Sequence, residues 1–220
     1  MKVLNLYAGI GGNRRLWPNN IEVTAVEKHP EIAKIYSDFF PQDTLIVGDA
    51  HAYLPDHFKE YDFIWSSCPC QTHSSFRYNL QVGCRGAKPE YPDMRLWQEI
   101  VFLKYHCKTK WVVENVNPYY DMFIPGQLIQ RHVFWANFYI DQKSFESENI
   151  RAIQIPQLQK IHGFDLAKYS FEDKDLNKRQ ILRNCVLPEL GLHVFDCAFK
   201  KVVPQLLLFN SEKILNKKES

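Results

Sequence analysis

The sequence predicts an α/β fold, a mostly parallel sheet with helices on both faces. Three observations carry that prediction. Up to Asn137, short apolar runs of β type alternate with segments of helical period. Glycines or polar groups stand directly after each of those runs, where open parallel sheets place their ligands. The composition, 45% hydrophobic with 14% aromatic and 24% charged residues, supplies the core of one globular domain.

Lys2–Tyr7 reads as the first strand, Glu22–Val26 as the second and Thr44–Val47 as the third. Phe63–Ser66 is the fourth and Trp111–Glu114 the fifth. Helices are expected between them. Glu31–Phe39 opens after Pro30 and carries Ile32, Ile35, Tyr36 and Phe39 at helical spacing. Leu96–Tyr105 carries Leu96, Trp97, Ile100, Val101 and Leu103. Tyr139–Lys178 is polar and mixed, which predicts an irregular insertion or a small subdomain. A last helix is expected from about Pro188 to Phe199, with Leu190, Val194 and Ala198 on one face. Val202–Leu208 reads as an edge strand near Pro204.

The net charge of +2 means that nucleic-acid binding would rest on a local basic face rather than on a basic average. Six cysteines are present: Cys68, Cys70, Cys84, Cys107, Cys185 and Cys197. Met1-Lys2 leads straight into a strand, and no apolar stretch has membrane-spanning length. The expectation is a cytoplasmic chain with free thiols and no membrane contact.

Five groups follow the five strands. Tyr7-Ala8-Gly9-Ile10-Gly11-Gly12 follows the first, and its glycines let the backbone turn tightly toward a nucleotide-like cofactor. A plain strand-to-helix turn explains glycines alone equally well. Glu27 ends the second strand, where an acid accepts hydrogen bonds from ribose hydroxyls. Asp49 follows the third, placed either to take an adenine amino group or to form an Asx turn. Together these describe an adenosine-bearing cofactor without choosing between a dinucleotide and S-adenosylmethionine.

Ser66-Ser67-Cys68-Pro69-Cys70-Gln71 follows the fourth strand. A cysteine exposed in such a loop is placed for attack as a thiolate. The Cys68/Cys70 spacing is tight for half of a metal site and lacks a second pair, so no metal is expected. Cys68 reads as structural. Glu114-Asn115-Val116 follows the fifth strand and sets a carboxylate where it can share a proton with a ring nitrogen.

These residues resemble the cytosine-5 DNA methyltransferase family. Tyr7–Gly12, Pro69-Cys70-Gln71 and Glu114-Asn115-Val116 stand in the family's order and fold context. Gln130-Arg131-His132, with Phe134-Trp135-Ala136-Asn137 behind it, resembles the family's next basic motif. Arg183-Asn184-Cys185-Val186 resembles its closing motif. The resemblance implies a Rossmann-like S-adenosylmethionine-dependent methyltransferase fold. It divides the chain into a catalytic and cofactor-binding core (1–137), a reduced target-recognition insertion (138–179) and a C-terminal segment returning to the core (180–220).

By resemblance, Cys70 attacks carbon 6 of a flipped cytosine, Glu114 holds the ring, and Arg131 and His132 support the reaction. Tyr7, Ala8, Gly9, Gly11, Gly12, Glu27, Lys28, Asp49, Ala50, Pro69, Asn184 and Cys185 are the implied contacts of S-adenosylmethionine. Gln71, Ser74, Arg77, Arg85 and Asn115 are the implied nucleic-acid contacts, and Thr72–Arg95 is the implied mobile segment closing over the base.

The pattern departs from the family at several places. Asn5 stands where Asp is usual, and Gln130 and His132 where arginines are usual. Arg183 replaces a glycine and Cys185 a serine. The interval Phe138–Arg179 is short for target recognition, which implies a short target site, loose specificity or help from a partner; a cognate restriction enzyme or a specificity partner is the implied companion. Double-stranded DNA is the implied substrate and a monomer the default. Three rivals stay open: the same chemistry on RNA, a catalytically silent nucleic-acid-binding module, and a nicotinamide-dependent oxidoreductase. The last gives Pro69-Cys70-Gln71 no role.

Overall fold

The computed structural model describes residues 1–82, 88–145 and 153–200. Seven strands form one sheet in the order β3-β2-β1-β4-β5-β7-β6. Strands β1 (Lys2–Leu6), β2 (Glu22–Glu27), β3 (Thr44–Val47), β4 (Phe63–Ser66) and β5 (Lys110–Val116) run parallel. Strand β7 (His132–Ala136) is antiparallel to β5, and β6 (Gln127–Ile129) pairs antiparallel on β7. The chain reverses direction across the sheet between β1 and β4, so their carboxyl ends border the crevice where such sheets bind ligands.

Alternation along the strands builds a core on each face. Val3, Phe63, Trp65, Val112 and Phe134 point to one side and pack with Trp17, Val194 and Phe195. Leu4, Leu6, Ile64, Val113 and Val133 point to the other, against Leu54, Leu96, Ile100 and Leu103. Those partners lie on α2 (Ala50–His57) and α4 (Arg95–His106). Helix α1 (Pro30–Phe39) starts at a proline, whose missing N–H costs nothing at a helix start.

The structure corrects several sequence expectations. Among the described residues no helix joins β1 to β2; the crossover runs through turns. Its outer face is covered by α7 (Pro188–Phe199). Trp17 stacks on Phe195 with centroids 5.1 Å apart, and its indole N–H donates to the Gly191 carbonyl at 3.2 Å. A Cβ at Gly191 would lie 2.7 Å from Asn13 Cα, so only glycine permits this approach. Helix α2 was not foreseen, because Pro55 interrupts its pattern. The segment after Cys70 contains α3 (Ser75–Val82).

The interval read as irregular holds α5 (Ile155–His162) and leads into α6 (Lys178–Arg183). Leu158, Phe164, Leu166, Ile181 and Leu182 form a third core with Ile35, Tyr36 and Phe40. The insertion thus docks on α1. Beneath it, Arg14 and Asp43 make a buried ion pair at 3.0 Å, and Tyr36 donates to Asp43 at 2.7 Å. The edge strand expected at Val202–Leu208 lies outside the described residues.

Candidate active site

The glycine loop follows β1 with an unusual backbone. Tyr7 (φ 54°), Gly9 (φ 56°) and Gly11 (φ 88°) all adopt left-handed conformations. That suits glycine and is uncommon for tyrosine. A Cβ on Gly9 would meet nothing within 4 Å, so this glycine opens free space at the strand end. A Cβ on Gly12 would lie 2.7 Å from Cys185 Cβ and 2.8 Å from the Val186 carbonyl. The segment Asn184-Cys185-Val186 therefore packs directly on the glycine loop. Asn184 is exposed there, while Cys185 is buried and its thiol pushed up to about 12 by burial.

Glu27 binds this loop from β2. One carboxylate oxygen accepts the Gly9 N–H at 2.9 Å and the other the His29 N–H at 2.9 Å. Each oxygen keeps a lone pair for a further donor. Lys28 is exposed beside it. Asp49 caps α2, accepting from His51 N at 2.9 Å and Ala52 N at 3.3 Å through Oδ1. Of the two sequence readings of Asp49 the structure shows the Asx turn, made through Oδ1, while Oδ2 faces Arg95 at 3.8 Å. Ala50 is buried behind it.

The Cys70 loop leaves β4 next door. Pro69 is exposed and Cys70 half-buried. Burial and the nearby Glu114 carboxylate push the Cys70 thiol up to about 11, while the Arg131 charge pulls the other way. Cys70 therefore rests as the thiol. Cys68 is buried and donates to Glu99 at 3.2 Å.

Asn115, expected as a nucleic-acid contact, is buried instead. Its amide donates to the Cys68 carbonyl at 2.9 Å and accepts from Val116 N at 2.9 Å. It holds the Cys70 loop against β5. Ser74, expected in the same role, accepts the Phe76 N–H at 3.2 Å and so caps the start of α3. Gln71 is exposed beside Cys70. Arg85 and the Arg77 side chain lie outside the described residues.

Strand β5 runs two residues past the end expected at Glu114, which is buried within it opposite Phe134, and His132 Nδ1 lies 2.6 Å from its Oε1. Arg131 Nε donates to His132 Nε2 at 3.1 Å. Nε2 is thereby the acceptor, so Nδ1 carries the proton and donates to Glu114. The tight β6–β7 turn, with Gln130 at φ 54°, places this relay. Arg131 is itself exposed. Sequence reasoning gathered Cys70, Glu114, Arg131 and His132, and the structure brings all four together.

Three residues escaped that reasoning. Glu99 on α4 is 1% exposed and accepts from Tyr7 Oη at 2.6 Å and Ser66 Oγ at 2.6 Å. Its signal was an acid three residues after Leu96 and four before Leu103, on the apolar face. His73, fully buried, pairs Nδ1 with Tyr120 Oη at 2.6 Å and anchors the root of α3. His162 is fully buried near Arg131, and burial pushes it down to about 4.

Several solved structures are similar to this chain. A DNMT2 variant from Spodoptera frugiperda is 26% identical over 52% of this chain and 35% of its own, with a TM-score of 0.39. The Entamoeba histolytica methyltransferase EhMeth is 14% identical, over 90% of this chain and 98% of its own, with a TM-score of 0.50. A candidate DNA modification methyltransferase encoded within an E. coli prophage is 20% identical over 55% of this chain and 33% of its own, with a TM-score of 0.37. The chain spans about a third of the length of the first of these. The likeness to EhMeth shows a methyltransferase fold. No curated protein matches the sequence. The profile of the C-5 cytosine-specific DNA methylase family matches residues 1–122, more than half of the chain and every strand-end group from the glycine loop to Glu114. The protein belongs to the C-5 cytosine-specific DNA methylase family.

Proposed function

We propose that the protein transfers a methyl group from S-adenosylmethionine to carbon 5 of a cytosine in DNA, through a covalent adduct on Cys70. The convergence of a half-buried thiol with the Arg131–His132–Glu114 relay, at strand ends beside the glycine loop, carries this reading.

The residues present fit the cofactor. Gly9 leaves open space, Glu27 keeps acceptor capacity for ribose hydroxyls, and Asp49 Oδ2 is free of the helix cap. S-adenosylmethionine, when bound, supplies an electrophilic methyl group. On this reading Tyr7, Pro69 and Asn184 would enclose it, and the Cys185 segment packs on the glycine loop at Gly12.

The chain's own residues prepare the base. A cytosine inside a duplex cannot reach a half-buried thiol, so the base enters flipped. Glu114 Oε1 is taken by His132, which leaves Oε2 to accept from the exocyclic amine and, when it carries a proton, to donate to the ring N3. Engaging that oxygen spreads the Glu114 charge onto the base and weakens the repulsion that holds the Cys70 proton. Arg131 remains to favour the thiolate. As the thiolate bonds to carbon 6, the displaced ring electron pair goes to N3, which takes a proton from Glu114 Oε2 in place of the one Cys70 gives up, leaving carbon 5 an enamine carbon able to accept the methyl group. Loss of the carbon-5 proton to a base then expels Cys70 and restores the ring. His132 limits charge build-up by holding Glu114 in place.

The test is base-resolution mapping of 5-methylcytosine in DNA of a methylation-free bacterium expressing the protein, beside Cys70→Ala. A recurring methylated sequence, absent from the control, supports the reading. Unmethylated DNA with methylated cytosine in RNA overturns the DNA assignment. The absence of both from soluble protein overturns the activity.

A further inference from the structure

Glu99 has no part in the chemistry above, yet its carboxylate is the most heavily engaged polar group near the site. It sits in α4 at 1% exposure. Oε1 accepts from Tyr7 Oη at 2.6 Å and faces His51 Nδ1 at 3.0 Å. Oε2 accepts from Ser66 Oγ at 2.6 Å and Cys68 Sγ at 3.2 Å. Four donors on two oxygens fill a carboxylate's acceptor sites. The two 2.6 Å bonds have the length of charge-assisted hydrogen bonds.

The four donors come from three separate strand ends. Tyr7 opens the glycine loop, in a left-handed conformation that a bulky residue adopts at a cost. Ser66 ends β4 and Cys68 stands two residues before Cys70. His51 lies in the first turn of α2, next to the Asp49 cap. An acid buried in an apolar helix face is expensive to retain for packing alone. Hydrophobic substitution there would satisfy the core but release all three loops.

We propose that Glu99 is a positioning residue that fastens the glycine loop, the nucleophile loop and the start of α2 into one unit, so that the cofactor crevice is preformed and registered against Cys70. This rests on the reading that the crevice takes S-adenosylmethionine. The hydroxyl of Tyr7 acts through Glu99: it fixes the strained backbone from which Gly9 and Gly11 depart.

The test measures affinity for S-adenosylhomocysteine by calorimetry, with thermal unfolding alongside. The variants are Glu99→Gln, Tyr7→Phe, Ser66→Ala and the double variant Glu99→Gln/Tyr7→Phe. Glutamine keeps the shape but turns one acceptor into a donor. Affinity should fall by on the order of tenfold to a hundredfold. Tyr7→Phe should weaken binding several-fold, and the double variant should bind about as Glu99→Gln does, because the two groups act as one. Lowered melting with unchanged affinity, or additive effects, overturns the proposal and leaves Glu99 a packing residue. Should Glu99→Gln not fold, Tyr7→Phe and Ser66→Ala carry the test, since each removes one hydroxyl; unchanged affinity in both overturns the proposal. Wild-type protein that binds no S-adenosylhomocysteine overturns the functional reading and the proposal with it. A wild type that binds alongside indifferent variants overturns the proposal alone.

Discussion

Alkylation of Cys70 by iodoacetamide reads the electrostatics of the site without substrate. Burial, reinforced by Glu114, holds this thiol at about 11. At pH 7.5 such a thiol is ~0.03% ionised, against ~10% for an ordinary cysteine near 8.5. The more basic thiolate is intrinsically more nucleophilic, which returns ~10-fold of the ~300-fold deficit. Cys70 should therefore react roughly 20- to 30-fold more slowly than a free cysteine at that pH. Its rate should rise about tenfold per pH unit up to at least pH 10. Peptide-resolved mass spectrometry separates it from the buried Cys68, Cys185 and Cys197 and the half-buried Cys107, with Cys70→Ser as control.

The signs of two variants test the cause. Glu114→Gln removes the charge that opposes the thiolate, so alkylation should speed up even as methyl transfer is lost. Arg131→Gln removes the charge that favours it, so alkylation should slow. A rate that levels off below pH 9 in the wild type would refute the raised thiol. Acceleration in Arg131→Gln with no change in Glu114→Gln would refute the assignment of its causes.

Asn115→Ala leaves the Cys68 carbonyl and the Val116 N–H without their buried partner, which should cost about 1–3 kcal/mol in denaturant unfolding; a loss well below that range means water replaces the amide. For His162 the sign follows from a folded pKa depressed to about 4 by burial, with Arg131 adding to it. Between about 6.5 and 4 the unfolded chain binds the extra proton, so stability is full above that window and falls through it by up to roughly 3 kcal/mol. His162→Phe should flatten the upper part of the window, from pH 6.5 to 5, before the carboxylates titrate; an unchanged slope there shows that His162 is not the titrating group.

The parallel half of the sheet was legible because each strand is a short apolar run ended by a chemically distinct group. Thr44–Val47 and Phe63–Ser66 match their strands residue for residue. The helices packed on those strands showed the same clarity where Ile32, Ile35 and Tyr36 repeat at helical spacing. The crossover from β1 to β2 did not show itself, because its cover comes from the other end of the chain. Trp17 and Gly191 are 174 residues apart, yet the indole of one binds the carbonyl of the other. No local period records such a contact.

The same distinction separates the site residues. Cys70 and Glu114 stand out in sequence because each is a reactive group closing a short apolar run, Cys70 in the loop after β4 and Glu114 near the end of β5. Asn115 looked similar by position, but alternation on β5 turns it away from Glu114 and into the interior, where the Cys68 carbonyl needs a donor. Glu99 shows the converse. A carboxylate on the apolar face of α4 announces a buried requirement, but only the fold brings Tyr7, His51, Ser66 and Cys68 to meet it. Strand ends tell which groups face the ligand. Polar residues that break an apolar face tell where those strand ends are tied together.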